Sequence, residues 1–174
     1  RGRGVEPHHT LIGLHPGASV PKKRWPLARF EEVLRSLFES PDVRIICFTD
    51  PTGYGSSLGE MPGVVNASVS LRQMMALLAA CQFLVCNDSG PMHIAAALGV
   101  PTVAVFGTGI PKWFSPLGSG HEIVTSEPDL ESPPVDPREK SIEAVTTAMV
   151  LCAIARLRVR LSSDSGMMDP ERRI

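Results

Sequence analysis

Four short stretches of the chain are almost continuously apolar: Thr10–Leu14 (TLIGL), Val43–Phe48 (VRIICF), Phe83–Cys86 (FLVC) and Thr102–Phe106 (TVAVF), each soon followed by Gly, Pro or Asp. Runs of this length without polar alternation suit strands buried on both faces of a parallel sheet. Between the first two the period changes. Phe30, Val33, Leu34, Leu37 and Phe38 recur at helical spacing, which predicts a helix after Pro26 that ends before Pro41. Ser70-Leu-Arg-Gln73 reads as a capping box, in which a Ser hydroxyl and a Gln amide satisfy each other's exposed backbone donors. The helix it opens is expected to bury Leu71, Met74, Met75 and Leu78. A third helix is expected from near Pro91 to Gly99, where Pro101 blocks continuation.

Strand and helix therefore alternate, which predicts right-handed βαβ crossovers and a single α/β domain: a doubly wound parallel sheet in a Rossmann-like three-layer sandwich. Ligands of such a sheet bind at the carboxyl ends of the strands. Glu127–Lys140, rich in Pro and charge, reads as a surface connector, after which Ser141 opens a last helix carrying Ile142, Val145, Met149 and Cys152. The domain is drawn over residues 1–155, and residues 156–174, basic and then polar, are expected to be a loose tail.

Composition narrows the class. With 174 residues, 43% of them hydrophobic and 20% charged, the chain has material for one core, and two complete domains would be cramped. A net charge of −1 argues against binding nucleic acid through bulk charge. No apolar run approaches the roughly 18 residues of a membrane span, and Arg1–Thr10 lacks a signal-like apolar stretch. A soluble, cytoplasmic protein is the expectation. Cys47, Cys81, Cys86 and Cys152 sit in apolar segments without a Cys-x-x-Cys pair and read as reduced core residues; the five histidines show no metal-ligand spacing. Neither a metal nor a cofactor is expected.

The candidate chemistry lies in the loops after the four strands: His15–Ser19, Thr49–Gly53, Asn87–Gly90 and Gly107–Gly109. In Asn87-Asp-Ser-Gly-Pro-Met-His93, Gly90 permits close backbone approach and Pro91 presets a helical turn whose free amides would face an anion. The same residues also read as an ordinary cap, with Asp88 or Ser89 accepting from the backbone. Lys22-Lys-Arg24, just past the first strand's turn, supplies cations; Lys23 suits phosphate, whereas Lys22 and Arg24 read equally well as solvated surface residues. Trp25 reads as core. There is no Gly-x-Gly-x-x-Gly or Walker motif, which disfavours a usual NAD or P-loop site.

HPGASVPKKRWPLARFEEV together with CQFLVCNDSGPMHIAAALGVPTVAVFGTGIPKWFSPLG resembles the lipopolysaccharide heptosyltransferases of glycosyltransferase family 9, over roughly Leu11 to Val150. In that family these motifs belong to the C-terminal, donor-binding half of a two-domain GT-B enzyme. That enzyme moves heptose from ADP-heptose to the lipopolysaccharide core with inversion. The resemblance puts Lys23 on the donor phosphates, Asp88, Ser89 and Gly90 at the diphosphate and sugar, Val69 near the adenine, and His93 on a matching family histidine. A ribose-binding carboxylate belongs in the loop after the second strand, where Asp50 and Glu60 both stand.

The resemblance implies that the acceptor groove and the catalytic base belong to an N-terminal half, a partner lying outside this chain, so the catalytic residues are unassigned here. The chain alone is then expected to bind a nucleotide-sugar donor without transferring sugar to a lipopolysaccharide core acceptor. Location at the periphery of the inner membrane is a further implication of the resemblance. Apolar surface near Trp113, Phe114 and Pro116 is expected to be exposed and to support self-association. Two other readings stand beside this one: a stand-alone nucleotide-binding or interaction module without transferase activity, and a transferase using another nucleotide sugar.

Overall fold

The four apolar runs form the four central strands of one six-stranded, all-parallel sheet. A computed structural model describes residues 5–50, 52–107, 109–126 and 141–166. The strands are β1 (Thr10–His15), β2 (Val43–Phe48), β3 (Val64–Ala67), β4 (Phe83–Asn87), β5 (Thr102–Phe106) and β6 (Glu122–Thr125), in the spatial order β3-β2-β1-β4-β5-β6. The helices are α1 (Leu27–Leu37), α2 (Leu71–Ala79), α3 (Gly90–Ala97), the short α4 (Pro111–Phe114) and α5 (Thr147–Gly166). This is the expected Rossmann-like doubly wound sheet, and its strand order reverses between β1 and β4, where the loops diverge and leave a crevice.

Period-two alternation divides the strand residues between two cores. Ile12 and Leu14, Ile45 and Cys47, Phe83 and Val85, and Val103 and Val105 meet α1 and α5 through Phe30, Leu34, Val150 and Ile154. Ile46 and Phe48, Leu84 and Cys86, and Ala104 and Phe106 point the other way, onto Leu78 of α2 and Met92 and Ala95 of α3. Both faces of the sheet are thus covered, the condition under which continuous apolar runs are stable as strands.

Several sequence expectations need correction. The capping box on α2 is present, with Ser70 N–H donating to Gln73 Oε1 at 3.0 Å, but the buried stripe is not: Leu78 is buried while Leu71 is 60% and Met75 39% exposed. Leu78 joins the core, and Met74 and Leu77 pack against it only partly buried. Ser141 opens a 3-10 turn over Ile142–Ala144, and α5 itself starts at Thr147. Residues 156–166 of the expected loose tail are helical instead, since α5 continues to Gly166. Arg156 and Arg160, one turn apart, both donate to the Glu122 carboxylate at the head of β6 and so pin the helix to the sheet edge. Cys47, Cys81 and Cys86 are buried, but Cys152 is exposed, on α5 beside Arg156. The expected connector 127–140 and residues 167–174 lie outside the described residues. No helix among the described residues is long and apolar enough to cross a membrane.

Trp25 locks the start of α1 to the far end of the chain. Its indole is fully buried, stands edge-on to Phe30 at 5.0 Å, and donates through Nε1 to the Val145 carbonyl at 2.9 Å. Trp25→Ala is expected to cost about 3–5 kcal/mol of unfolding free energy in urea titrations followed by circular dichroism, the range for a large aromatic removed from a core.

Candidate functional site

Asn87, the last residue of β4, holds the site together. It is wholly buried, its Nδ2 donates to the Pro16 carbonyl at 2.6 Å, and its Oδ1 accepts from the Trp25 backbone N–H at 3.2 Å. One amide therefore ties both ends of the loop after β1 to the carboxyl end of β4, across the point where strand order reverses. Between those anchors the chain makes a 3-10 turn over Pro21–Lys23 that places Lys23 over the next residue of the β4 loop. Lys23 Nζ donates to Asp88 Oδ2 at 2.6 Å, and the same ammonium sits 5.6 Å from the centre of the Phe114 ring. Asp88 is nearly buried, and a Cβ at Gly109 would lie 2.4 Å from its Oδ2, so the Gly107–Gly109 loop needs glycine there to pass behind the carboxylate.

α3 starts directly after this pair. Ser89 is extended and its hydroxyl donates back to the Asn87 carbonyl, so no side chain caps the helix, contrary to the reading of Asp88 or Ser89 as a cap. Beside that uncapped start lies an open cleft of about 320 Å³, lined by His15 and Ala18 after β1, Arg24, Asp50 after β2, and Ser89 and Gly90. Larger hollows elsewhere, such as that between Arg35, Phe38 and Glu60, lie away from the ends of β1 and β4. Of the residues expected at the site, Ser89 and Gly90 line this cleft, while Lys23 and Asp88 pair with each other next to it and are not part of its lining. Val69 is half-buried against the α2 and α3 core, and His93 is exposed one turn along α3; neither lines the cleft.

The model of glycosyltransferase family 9 (heptosyltransferase) matches residues 5–143, a segment that contains every residue of the cleft. The chain belongs to glycosyltransferase family 9. It is 32% identical over 126 residues to lipopolysaccharide heptosyltransferase 2 of Salmonella typhimurium, a match covering 66% of this chain and 36% of the relative. Among solved structures, a family 9 glycosyltransferase from Veillonella parvula superposes with a TM-score of 0.76 at 27% identity, over 87% of this chain and 46% of that one. E. coli ADP-heptose lipopolysaccharide heptosyltransferase II superposes with a TM-score of 0.75 at 26% identity, over 90% of this chain and 49% of that one. The chain spans a little over a third of the length of the curated relative and about half of each solved chain.

Within this family 9 domain the structure also brings forward residues whose sequence context is quiet. Arg24, which reads as surface, lies at the cleft: Nε donates to the Ala18 carbonyl at 3.0 Å and the guanidinium stacks 4.4 Å from the centre of the Tyr54 ring. Asp50 faces the cleft, whereas Glu60 ends the 3-10 turn leading toward the start of β3, at the opposite rim. Hydrogen bonding from the Thr52 hydroxyl, more than the backbone amides of Tyr54 and Thr52 or the charge of Arg24, holds the Asp50 carboxyl below the usual carboxylate range. Near Trp113 the apolar surface is exposed as expected, with Phe114 and Leu117 beside it, but Pro116 is buried.

His15 is 5% exposed, and its Nδ1–H donates to the Phe48 carbonyl at 2.9 Å. Burial pushes the imidazole below the usual histidine range, against the opposing pull of that carbonyl and of Asp50. With Nδ1 committed as donor, the neutral ring offers Nε2 as an acceptor. The unfolded chain then takes up a proton that the folded one refuses, so His15 makes stability fall as pH drops from the ordinary histidine pKa of about 6.5 toward its lower folded value. Imidazole 15N shifts followed through a pH titration are expected to show the neutral form of His15 as the Nδ1–H tautomer with a midpoint below the ordinary value of about 6.5, and a midpoint at or above about 6.5 would contradict this.

Proposed function

We propose that these residues form the donor-binding half of an inverting glycosyltransferase that takes ADP-heptose, or a closely similar nucleotide sugar, and acts on a lipopolysaccharide core acceptor. The observation that carries the reading is the Lys23–Asp88 pair beside the uncapped start of α3, at the reversal of strand order. An ammonium has three donors and Asp88 takes one, so two remain for phosphoryl oxygens while the carboxylate fixes the direction of the side chain. The α3 dipole adds partial positive charge on the same side. The names of the relatives, an ADP-heptose enzyme among them, supply the substrate class.

In this reading the domain stabilises the negative charge that gathers on the departing diphosphate as the sugar carbon is attacked from the opposite face. Asp88 sits on the donor side as the partner of Lys23, on the wrong face of the sugar to remove the acceptor's proton. The base and the acceptor groove belong to an acceptor-binding half, and the exposed Trp113, Phe114 and Leu117 are the surface assigned to meet it, with self-association as a use of the same surface when that half is not present.

Calorimetric titration tests the assignment. ADP is expected to bind the wild-type chain, and Lys23→Ala is expected to weaken it by roughly 1–3 kcal/mol, the range for hydrogen bonds to a charged group. Unchanged ADP affinity in Lys23→Ala would remove Lys23 from the site.

A further inference from the structure

We propose that Arg24, and not Lys23 alone, receives the donor's phosphoryl oxygens, forming the cationic wall of the cleft opposite the start of α3. The inference rests on the donor-binding reading and names the group that reads the diphosphate within it. Lys23 spends part of its charge on Asp88 and does not line the cleft; Arg24 does. A guanidinium carries five N–H donors in one plane. In Arg24 only Nε–H is hydrogen-bonded, to Ala18, and Nη2 stands 3.6 Å from Asp50 Oδ2, an ion pair beyond hydrogen-bond length. Four donors of a side chain that is 22% exposed therefore have no hydrogen-bond partner among the described residues.

Arg24 lines the open cleft, so its unused donors are offered to an anionic oxygen that enters there. The plane is already set, by the Tyr54 ring beneath it and the Ala18 carbonyl at its edge, so an incoming phosphate meets a fork that needs little further ordering. A second, independent group in the cleft also lacks a partner. His15 is 95% buried by its 5% exposure, lines the same cleft, and has Nε2 without a hydrogen bond among the described residues. A Cβ at Gly17 would fall 3.1 Å from His15 Nε2 and 3.3 Å from Asp50 Oδ2, so the glycine leaves open the space that both groups face. Donors on Arg24 and acceptors on His15 and Asp50 together call for a ligand carrying anionic oxygens next to hydroxyls, which is the chemistry of a sugar diphosphate.

The test compares ADP with adenosine, which lacks the phosphates, in the wild-type chain and in Arg24→Gln and Arg24→Lys. Arg24→Gln is expected to lose ADP affinity by at least about tenfold while adenosine binding stays within twofold, so the preference for ADP shrinks; Arg24→Lys, which keeps the charge and loses the fork, is expected to fall between them. A general disturbance of the loop would weaken both ligands alike and would overturn the assignment. So would ADP affinity within twofold of wild type in either variant. Should the variants fail to fold, the unaltered chain decides: the Arg24 guanidinium resonances are expected to shift on saturation with ADP and not with adenosine, and resonances that stay in place overturn the proposal. If the wild-type chain binds no ADP, the donor-binding reading itself fails and this inference falls with it, whereas ADP binding that ignores Arg24 overturns this inference alone.

Discussion

The site depends on a single buried amide. Asn87 ends a strand whose other four residues are Phe, Leu, Val and Cys, and its side chain has no contact with solvent. An amide buried without partners costs on the order of 1–3 kcal/mol by mutational measure. Here both of its ends are bonded, to backbone groups nine residues apart in the same loop, Pro16 and Trp25. That arrangement ties both ends of the loop after β1 to the last residue of β4. Trp25 then carries the constraint further, through Val145, to the segment that leads into α5. The position of Lys23 over Asp88 and of Arg24 over the cleft follows from where these two anchors hold the chain.

Electrostatically, the site is a balance and not a basic patch. Lys23 is matched by Asp88 and Arg24 stands near Asp50, so the side chains nearly cancel in net charge, in keeping with a chain whose overall charge is −1. In the proposed donor site, what favours an anion is direction. The α3 dipole, the two spare donors of Lys23 and the free edge of the Arg24 guanidinium are presented by groups held in place before any ligand arrives. The carboxylates hold the cations still, and the glycines at 17 and 109 keep the backbone thin where those carboxylates lie.

The central sheet was legible in the sequence because β1, β2, β4 and β5 are covered on both faces and show it as unbroken apolar runs. The edge strands β3 and β6 were not, since each has four residues, includes a polar one and is buried on part of its length, as in VVNA and EIVT. On α2 the capping box marked where the helix starts, but a helical stripe says only which residues share a flank, and Leu71 and Met75 share theirs with solvent. The end of α5 was misread because its arginines look solvated until Glu122, 34 and 38 residues away in sequence, is folded beside them. The site shows the same limit. Topology announced which loops would meet, and the resemblance picked out Lys23, Asp88, Ser89 and Gly90, whereas Arg24 looked like one more surface cation until Ala18 and Tyr54 were seen to fix it. Asn87 carried a readable signal, a polar residue closing an apolar strand, but its two bonds span 62 and 71 residues of sequence.

In the proposed donor site the buried Asn87 amide sets the geometry by holding both ends of the loop that carries Lys23 and Arg24. Calorimetric ADP titration of Asn87→Ala reads out that dependence. The variant is expected to keep its circular dichroism spectrum and to lose ADP affinity by about tenfold or more, the effect of releasing two hydrogen bonds that hold this loop. ADP affinity equal to that of the wild-type chain would show that the loop keeps its shape without the amide, and would contradict that dependence.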